Sequence, residues 1–80
     1  MGNRSEEKKV LDALRDLLRK KPVGKRQFVF RTTNEATECL GLKGSVRTRT
    51  LQEALKSLNS MSKINLVTFD GRTTITIPDL

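Results

Sequence analysis

Three observations predict an α+β fold for this 80-residue chain, with three helices and a small three-stranded antiparallel sheet in the order helix, strand, helix, helix, strand, strand. An amphipathic helical period runs from Val10 to Leu18. A capped helical segment ends at a glycine just before a second, basic one, and two alternating segments flank Asp70-Gly71. Asp-Gly accepts positive φ at both central positions of a type I′ turn, so it marks a two-residue β-hairpin. The chain reads as a single domain over 1–80, because a chain this short buries only about 60% of its unfolded surface and supports one core.

The first helix is expected from Ser5, whose hydroxyl can cap free N–H groups, with residues 1–4 outside the fold. Glu6 and Glu7 fall in its first turn, where the helix dipole favours negative charge. Val10, Leu11, Leu14, Leu17 and Leu18 recur at three- and four-residue spacing, while Lys9, Asp12, Arg15, Asp16 and Arg19 fill the other face. Lys20 and Lys21 suit the C-terminal end, and Pro22 followed by Gly24 closes it. Gln27 to Arg31 reads as a strand that turns Phe28 and Phe30 into the core. Paired with the hairpin, it supplies the third strand that an isolated ribbon needs for stability.

Thr32-Thr33-Asn34-Glu35 fits a T-x-x-E capping box and places the second helix from Thr33 to about Leu40. Gly41 ends it by taking the left-handed conformation, and Leu42 tucks back under the turn. Cys39, one residue before Leu40, reads as a small buried hydrophobe. For the third helix, Ser45, Thr48 and Thr50 can each serve as N-cap, the last with Glu53 as capping-box partner. Leu51, Ala54, Leu55 and Leu58 define its buried stripe, but an ideal helix extended backward puts Arg47 near that stripe and Val46 off it. A start at Ser45 with a loosened first turn is favoured, Arg47 reaching out along the edge.

Asn59 to Ser62 is expected to form the turn into the hairpin. If Phe69 pairs with Arg72, then Thr68 faces Thr73, Leu66 faces Ile75 and Ile64 faces Ile77. That register gives one face of Ile64, Leu66, Ile75 and Ile77, and an opposite face of Asn65, Val67, Phe69, Arg72, Thr74 and Thr76. Ile77-Pro78 ends the last strand. Helix, tight turn, helix and hairpin in this order spell a winged helix-turn-helix.

The segment TTNEATECLGL from Thr32 to Leu42 resembles the first helix and turn of winged helix-turn-helix domains in bacterial and archaeal transcription regulators and in phage or plasmid replication proteins. Thr32, Glu35, Leu40, Gly41 and Leu42 stand where those families place the cap, the glutamate three later and the Leu-Gly-Leu turn. The chain departs from them at Thr37, where a small apolar residue is usual, and after Leu42, where the turn is one residue short before Val46. GSVRTRTLQEAL also resembles the recognition-helix region of a winged-helix protein family of the archaeal and eukaryotic small ribosomal subunit, through Gly44, Ser45, Val46, Leu51 and Leu55; that family's lysine-rich tail is missing. Both resemblances cover about half the chain and concern a fold with many functions, so they imply fold more than partner.

Sixteen Lys and Arg against nine Asp and Glu, with no His, leave a formal charge of +7. Such an excess points to nucleic acid, an anionic membrane or an acidic protein as partner. Residues 43–63 concentrate it, with Lys43, Arg47, Arg49, Lys56 and Lys63 against Glu53 alone. Any soluble helix also carries charge on its wet face, so no single residue here is diagnostic. One cysteine excludes an intramolecular disulfide, and without His or a second Cys no zinc site of the usual kind is expected. No apolar run approaches the ~18 residues of a membrane span, no secretory signal is visible, and a myristoylation motif would need Ser or Thr where Glu6 stands. A cytoplasmic or nuclear location is expected.

The leading expectation is a module for double-stranded DNA, with the third helix in the major groove and the hairpin on the flanking backbone or minor groove. Arg47 and Arg49 are candidates for guanine edges and Thr48 and Gln52 for neighbouring bases. Lys43, Lys56, Lys63 and Arg72 would neutralise phosphates, and Ser45, at the expected helix start, completes the set. The alternatives are a protein-interaction module anchored by Val67, Phe69 and the flank of the first helix, or an RNA- or ribosome-binding module. A homodimer through the first helix is a further option, to be marked by exposure of both Leu11 and Leu18. Enzymatic activity and a cofactor are not expected, since no His can act as a base near pH 7 and no Gly-rich phosphate loop is present.

Overall fold

The computed structural model describes residues 4–80. Its elements are α1 (Arg4–Arg19), β1 (Gln27–Phe30), α2 (Thr33–Cys39), α3 (Thr48–Ser60), β2 (Asn65–Phe69) and β3 (Arg72–Thr76). The architecture is α+β, three helices with one open antiparallel sheet of strand order β1-β3-β2, as the sequence predicts. The expectation that residues 1–4 stay outside the fold falls partly on residues 1–3, which lie outside the described residues, and partly on Arg4, which opens α1. Ser5 therefore sits inside the first turn of α1 and not at the cap before it.

Helix α1 buries Val10, Leu14 and Leu18 completely and keeps Leu11 and Leu17 half-buried against the same core. Leu18 is central because α1 packs on β1 as well as on α3, so the joint exposure of Leu11 and Leu18 that would mark a dimer through this helix is not seen. Two neighbours cover a wider stripe than one would. The Arg15 guanidinium bonds Asp79 at 2.8 Å, tying the end of the chain to this helix.

The hairpin has the register deduced from its alternation: Phe69 opposite Arg72, Thr68 opposite Thr73 and Leu66 opposite Ile75. Asp70 and Gly71 have φ of 53° and 73°, the paired positive values of a type I′ turn. Ile64 and Ile77 lie just beyond the paired residues and are both buried with Ile75. On the other side of β3, β1 directs Phe28 and Phe30 inward, their ring centroids 5.4 Å apart. The strand stops at Phe30, one residue earlier than expected, because the Arg31 N–H turns to the Glu35 carboxylate at 3.1 Å.

Thr32 caps α2, its hydroxyl accepting from the Glu35 N–H at 3.1 Å. Glu35 thus reaches one residue further back than in the usual reciprocal box. At the other end Leu42 N–H donates to Thr37 C=O (2.9 Å) and Gly41 N–H to Glu38 C=O (3.1 Å), with Gly41 at φ 70°. This is the Schellman closure, and it sends Leu42 into the core. Thr37 is buried where a small apolar residue would be simpler, and its hydroxyl is satisfied by Thr33 C=O at 2.6 Å. Cys39 is exposed, contrary to the sequence reading. This short helix turns Ala36 and Thr37 inward with Leu40 half-buried beyond them, and Cys39 falls outside that face.

Helix α3 starts at Thr48, three residues later than the favoured Ser45. Ser45 and Val46 N–H both donate to Leu42 C=O at 2.9 Å, closing a turn through Gly44 at φ 87°, and Arg47 is extended (φ −72°, ψ 151°). Val46 is consequently buried by the turn, which frees it from the helical period, and Arg47 takes the N-cap position, its carbonyl accepting from Leu51 N–H at 2.8 Å while its side chain makes no cap hydrogen bond. The helix also runs on to Ser60, past the turn expected at Asn59. It closes with a second Schellman pair, Lys63 N–H to Leu58 C=O (2.9 Å) and Ser62 N–H to Asn59 C=O (3.1 Å), here with Ser62 at φ 60°.

These two closures respond oppositely to substitution. Gly41→Ala meets no atom within 4 Å, so only the left-handed backbone penalises it. Urea denaturation should show Gly41→Ala losing about 1 kcal/mol and Ser62→Gly gaining roughly 0.5 kcal/mol.

Candidate nucleic-acid interface

Leu51, Ala54, Leu55 and Leu58 hold α3 against the core, which leaves Thr48, Arg49, Gln52, Glu53 and Lys56 exposed on the opposite side. Arg49, Gln52 and Lys56 recur at i, i+3 and i+7, so they form one line along the helix. Gln52 and Lys56 also border a cavity of about 150 Å³ against the hairpin, with Thr33, Thr68 and Thr73 around it and Phe30, Leu55 and Leu66 as its apolar wall. Thr68 and Thr73 share a hydrogen bond at 3.3 Å. Thr68 lies on the inward side of the hairpin yet is exposed, because the ribbon extends past the helices there.

The remaining candidates are dispersed. Ser45 and Arg47 lie on the turn before α3, beside Gly44, Val46, Thr50 and Glu6 around an open cavity of about 440 Å³. Lys43 is exposed on the same turn, its ammonium 3.3 Å from the Glu38 carboxylate. Lys63 follows the C-terminal closure of α3, and Arg72 opens β3 at the hairpin tip, opposite Phe69. The sequence set is therefore brought together only in part, with Arg49, Gln52 and Lys56 as its continuous section.

Charge on this section is less uniform than the cation count implies. Arg49 Nε lies 3.7 Å from Glu53 Oε1, an i,i+4 pair with both side chains well exposed. Exposed pairs of this kind stabilise a helix by about 0.3–0.5 kcal/mol, so a stronger anion readily displaces the carboxylate. Among the described residues, Arg47, Lys56, Lys63 and Arg72 make no ion pair. Two features escape the sequence reading. Glu53, counted there as a cap partner and an offset to charge, stands among the cations; Thr33, Thr68 and Thr73 come to the edge of Gln52 and Lys56. The Thr68–Thr73 pairing was available from the hairpin register, but its approach to α3 was not.

Asn59 links α3 to the hairpin. Its Oδ1 accepts from Leu66 N–H at 3.2 Å, which occupies an edge donor of β2. Among the described residues no group of three or more His, Cys, Asp or Glu could hold a metal ion, and no helix is long and apolar enough to cross a membrane. Comparison with family models, curated proteins and solved structures finds no match to this chain. What this surface binds must be reasoned from its own shape and charge.

The weakness of the Arg49–Glu53 pair can be measured directly. Glu53→Gln should change the unfolding free energy by less than about 0.5 kcal/mol at low salt, with no residual difference in high salt. A loss several times larger would mean that Arg49 is held by its neighbour and is not free to engage a ligand.

Proposed function

We propose that the chain is a winged helix-turn-helix domain that binds double-stranded DNA, with α3 in the major groove and the β2–β3 hairpin on the flanking backbone or minor groove. The observation that carries this reading is the uncovered line of Arg49, Gln52 and Lys56 on a helix whose other side is held by the core. The major groove admits a helix in this way, and its base edges present what these side chains match. Arg49, leaving Glu53, would take guanine O6 and N7; Gln52 would take adenine N6 and N7. Thr48 and Arg47 extend the contact at the start of the helix, with Ser45 and Lys43 on the turn beside it. Lys56, Lys63 and Arg72 neutralise phosphates and supply affinity without sequence preference. A transcription regulator or a replication or partition protein would use a domain of this kind. A-form RNA fits less well, because its major groove is too narrow for a helix.

One observation favours a second reading, an interaction domain for an acidic protein. On the outer sheet face Val29 and Val67 flank Thr74 in register and are 44% and 60% exposed, and Phe69 at the hairpin tip is 80% exposed. These would be its apolar anchors.

Fluorescence anisotropy with labelled duplex DNA, single-stranded DNA and duplex RNA at several salt concentrations separates the readings. Preference for duplex DNA, with affinity falling steeply as salt rises, supports the first. Absence of DNA binding at low salt sinks it, and favours the protein partner. At a specific site Arg49→Ala should weaken binding by roughly 1 to 3 kcal/mol, while Arg72→Ala should weaken all sequences alike and flatten the salt slope by about one unit. Equal effects of both substitutions on every sequence would remove the base-reading role of Arg49.

A further inference from the structure

The densest charge in the chain lies away from α3. Between Asp16 and Glu35 there is no carboxylate, and five cations fall within 19–26: Arg19, Lys20, Lys21, Lys25 and Arg26. Among the described residues only Lys20 of these makes an ion pair, with Asp16 at 3.3 Å and both side chains well exposed. Like charge gathered this closely destabilises a fold unless a polyanion relieves it.

The connection from α1 to β1 is also internally fixed. Lys21 Nζ donates to Gln27 C=O at 2.6 Å, Arg26 Nε to Lys21 C=O at 3.0 Å, and Lys25 N–H to Pro22 C=O at 3.0 Å. An open cavity of about 460 Å³ adjoins it, with Lys21 and Lys25 at its border and Leu17, Phe28 and Val29 in its wall. A backbone held in this way presents its cations at little further loss of conformational freedom.

Its position separates it from the proposed DNA-reading helix. Helix α3 packs on α1, α2 and β2 and approaches β1 only at the far end of that strand, where Phe30 shares a cavity with Gln52 and Lys56. The 19–26 segment precedes β1, and the cavity that Lys21 and Lys25 border is lined from α1, β1 and Cys39 without a residue of α3, so a straight duplex lying along α3 leaves this surface facing elsewhere.

We propose that the 19–26 connection binds the phosphates of a second DNA segment, so that one domain bridges two duplexes. This rests on the reading of α3 as the DNA-binding helix. Arg19 and Lys25, exposed and without ion pairs among the described residues, are the test positions, whereas Lys21 and Arg26 support the backbone and are left in place.

The experiment uses the whole chain on an immobilised mixed-sequence duplex and asks whether it retains a second, fluorescent duplex from solution. Wild type should retain it. Arg19→Glu/Lys25→Glu should bind the immobilised duplex within about threefold of wild type but retain the second at least about tenfold less. The neutral pair Arg19→Gln/Lys25→Gln, expected to show the same loss in weaker form, serves if circular dichroism finds the reversal unfolded. Undiminished retention by a folded variant overturns the proposal, and so does an equal loss on the immobilised duplex, which would place the connection on the same DNA as α3. Wild type that binds one duplex without retaining a second overturns the bridging and leaves the function of α3 standing; wild type that binds neither overturns both. Replacement of the fluorescent duplex by vesicles containing phosphatidylserine should give no retention, and retention equal to that of DNA would overturn the assignment to DNA.

Discussion

Burial of one side of α3 is the constraint on which the other features depend. Leu51, Ala54, Leu55 and Leu58 must leave water, and an 80-residue chain has only one core to receive them. Each fully buried leucine contributes about 1.5–3 kcal/mol, so the rotation of α3 about its axis is fixed by a term far larger than any exposed ion pair on its outer side. The line of Arg49, Gln52 and Lys56 is thus a consequence of the core. Its charges are displayed by leucines on the other side of the same helix.

The turn before α3 sets where that line begins. Leu42 takes part twice, its N–H closing α2 on Thr37 and its carbonyl receiving Ser45 and Val46. With Leu42 and Val46 both buried, the intervening Lys43, Gly44 and Ser45 are forced outward. Arg47 then follows as an extended residue, so its guanidinium leaves the chain before the helical period starts. At the far end, Asn59 joins the last turns of α3 to the edge of β2. Helix and hairpin are thus linked at the C-terminal end of α3.

Charge on this molecule is organised in two territories and not as a general excess. One comprises α3, the turn before it and the hairpin tip, and contains Glu53 and Glu38 as well as cations. The other, the α1–β1 connection, has no carboxylate of its own, and Asp16 beside it pairs with Lys20. A function restricted to the first would leave the second as an electrostatic liability. This asymmetry motivates a two-sided role for the domain.

Local chemistry made much of the fold legible. The type I′ turn at Asp70-Gly71 dictates which residues oppose one another, the Thr32 cap and Gly41 bound α2, and the leucine period of α1 and α3 selects the faces that enter the core. Each is set by interactions spanning at most a few residues, so the sequence by itself determined them, together with the outward line Arg49, Gln52 and Lys56. Tertiary structure decided what depends on distant neighbours. Leu18 is central because β1 lies against α1, Val46 is buried by a turn that breaks the helical period, and Cys39 is exposed at the border of open cavities beside α1 and β1. The threonines of the hairpin border one cavity with Gln52 and Lys56 only once α3 and the sheet share a core. Periodicity specifies which side of an element turns inward; the identity of what it meets there is fixed by packing across the whole chain.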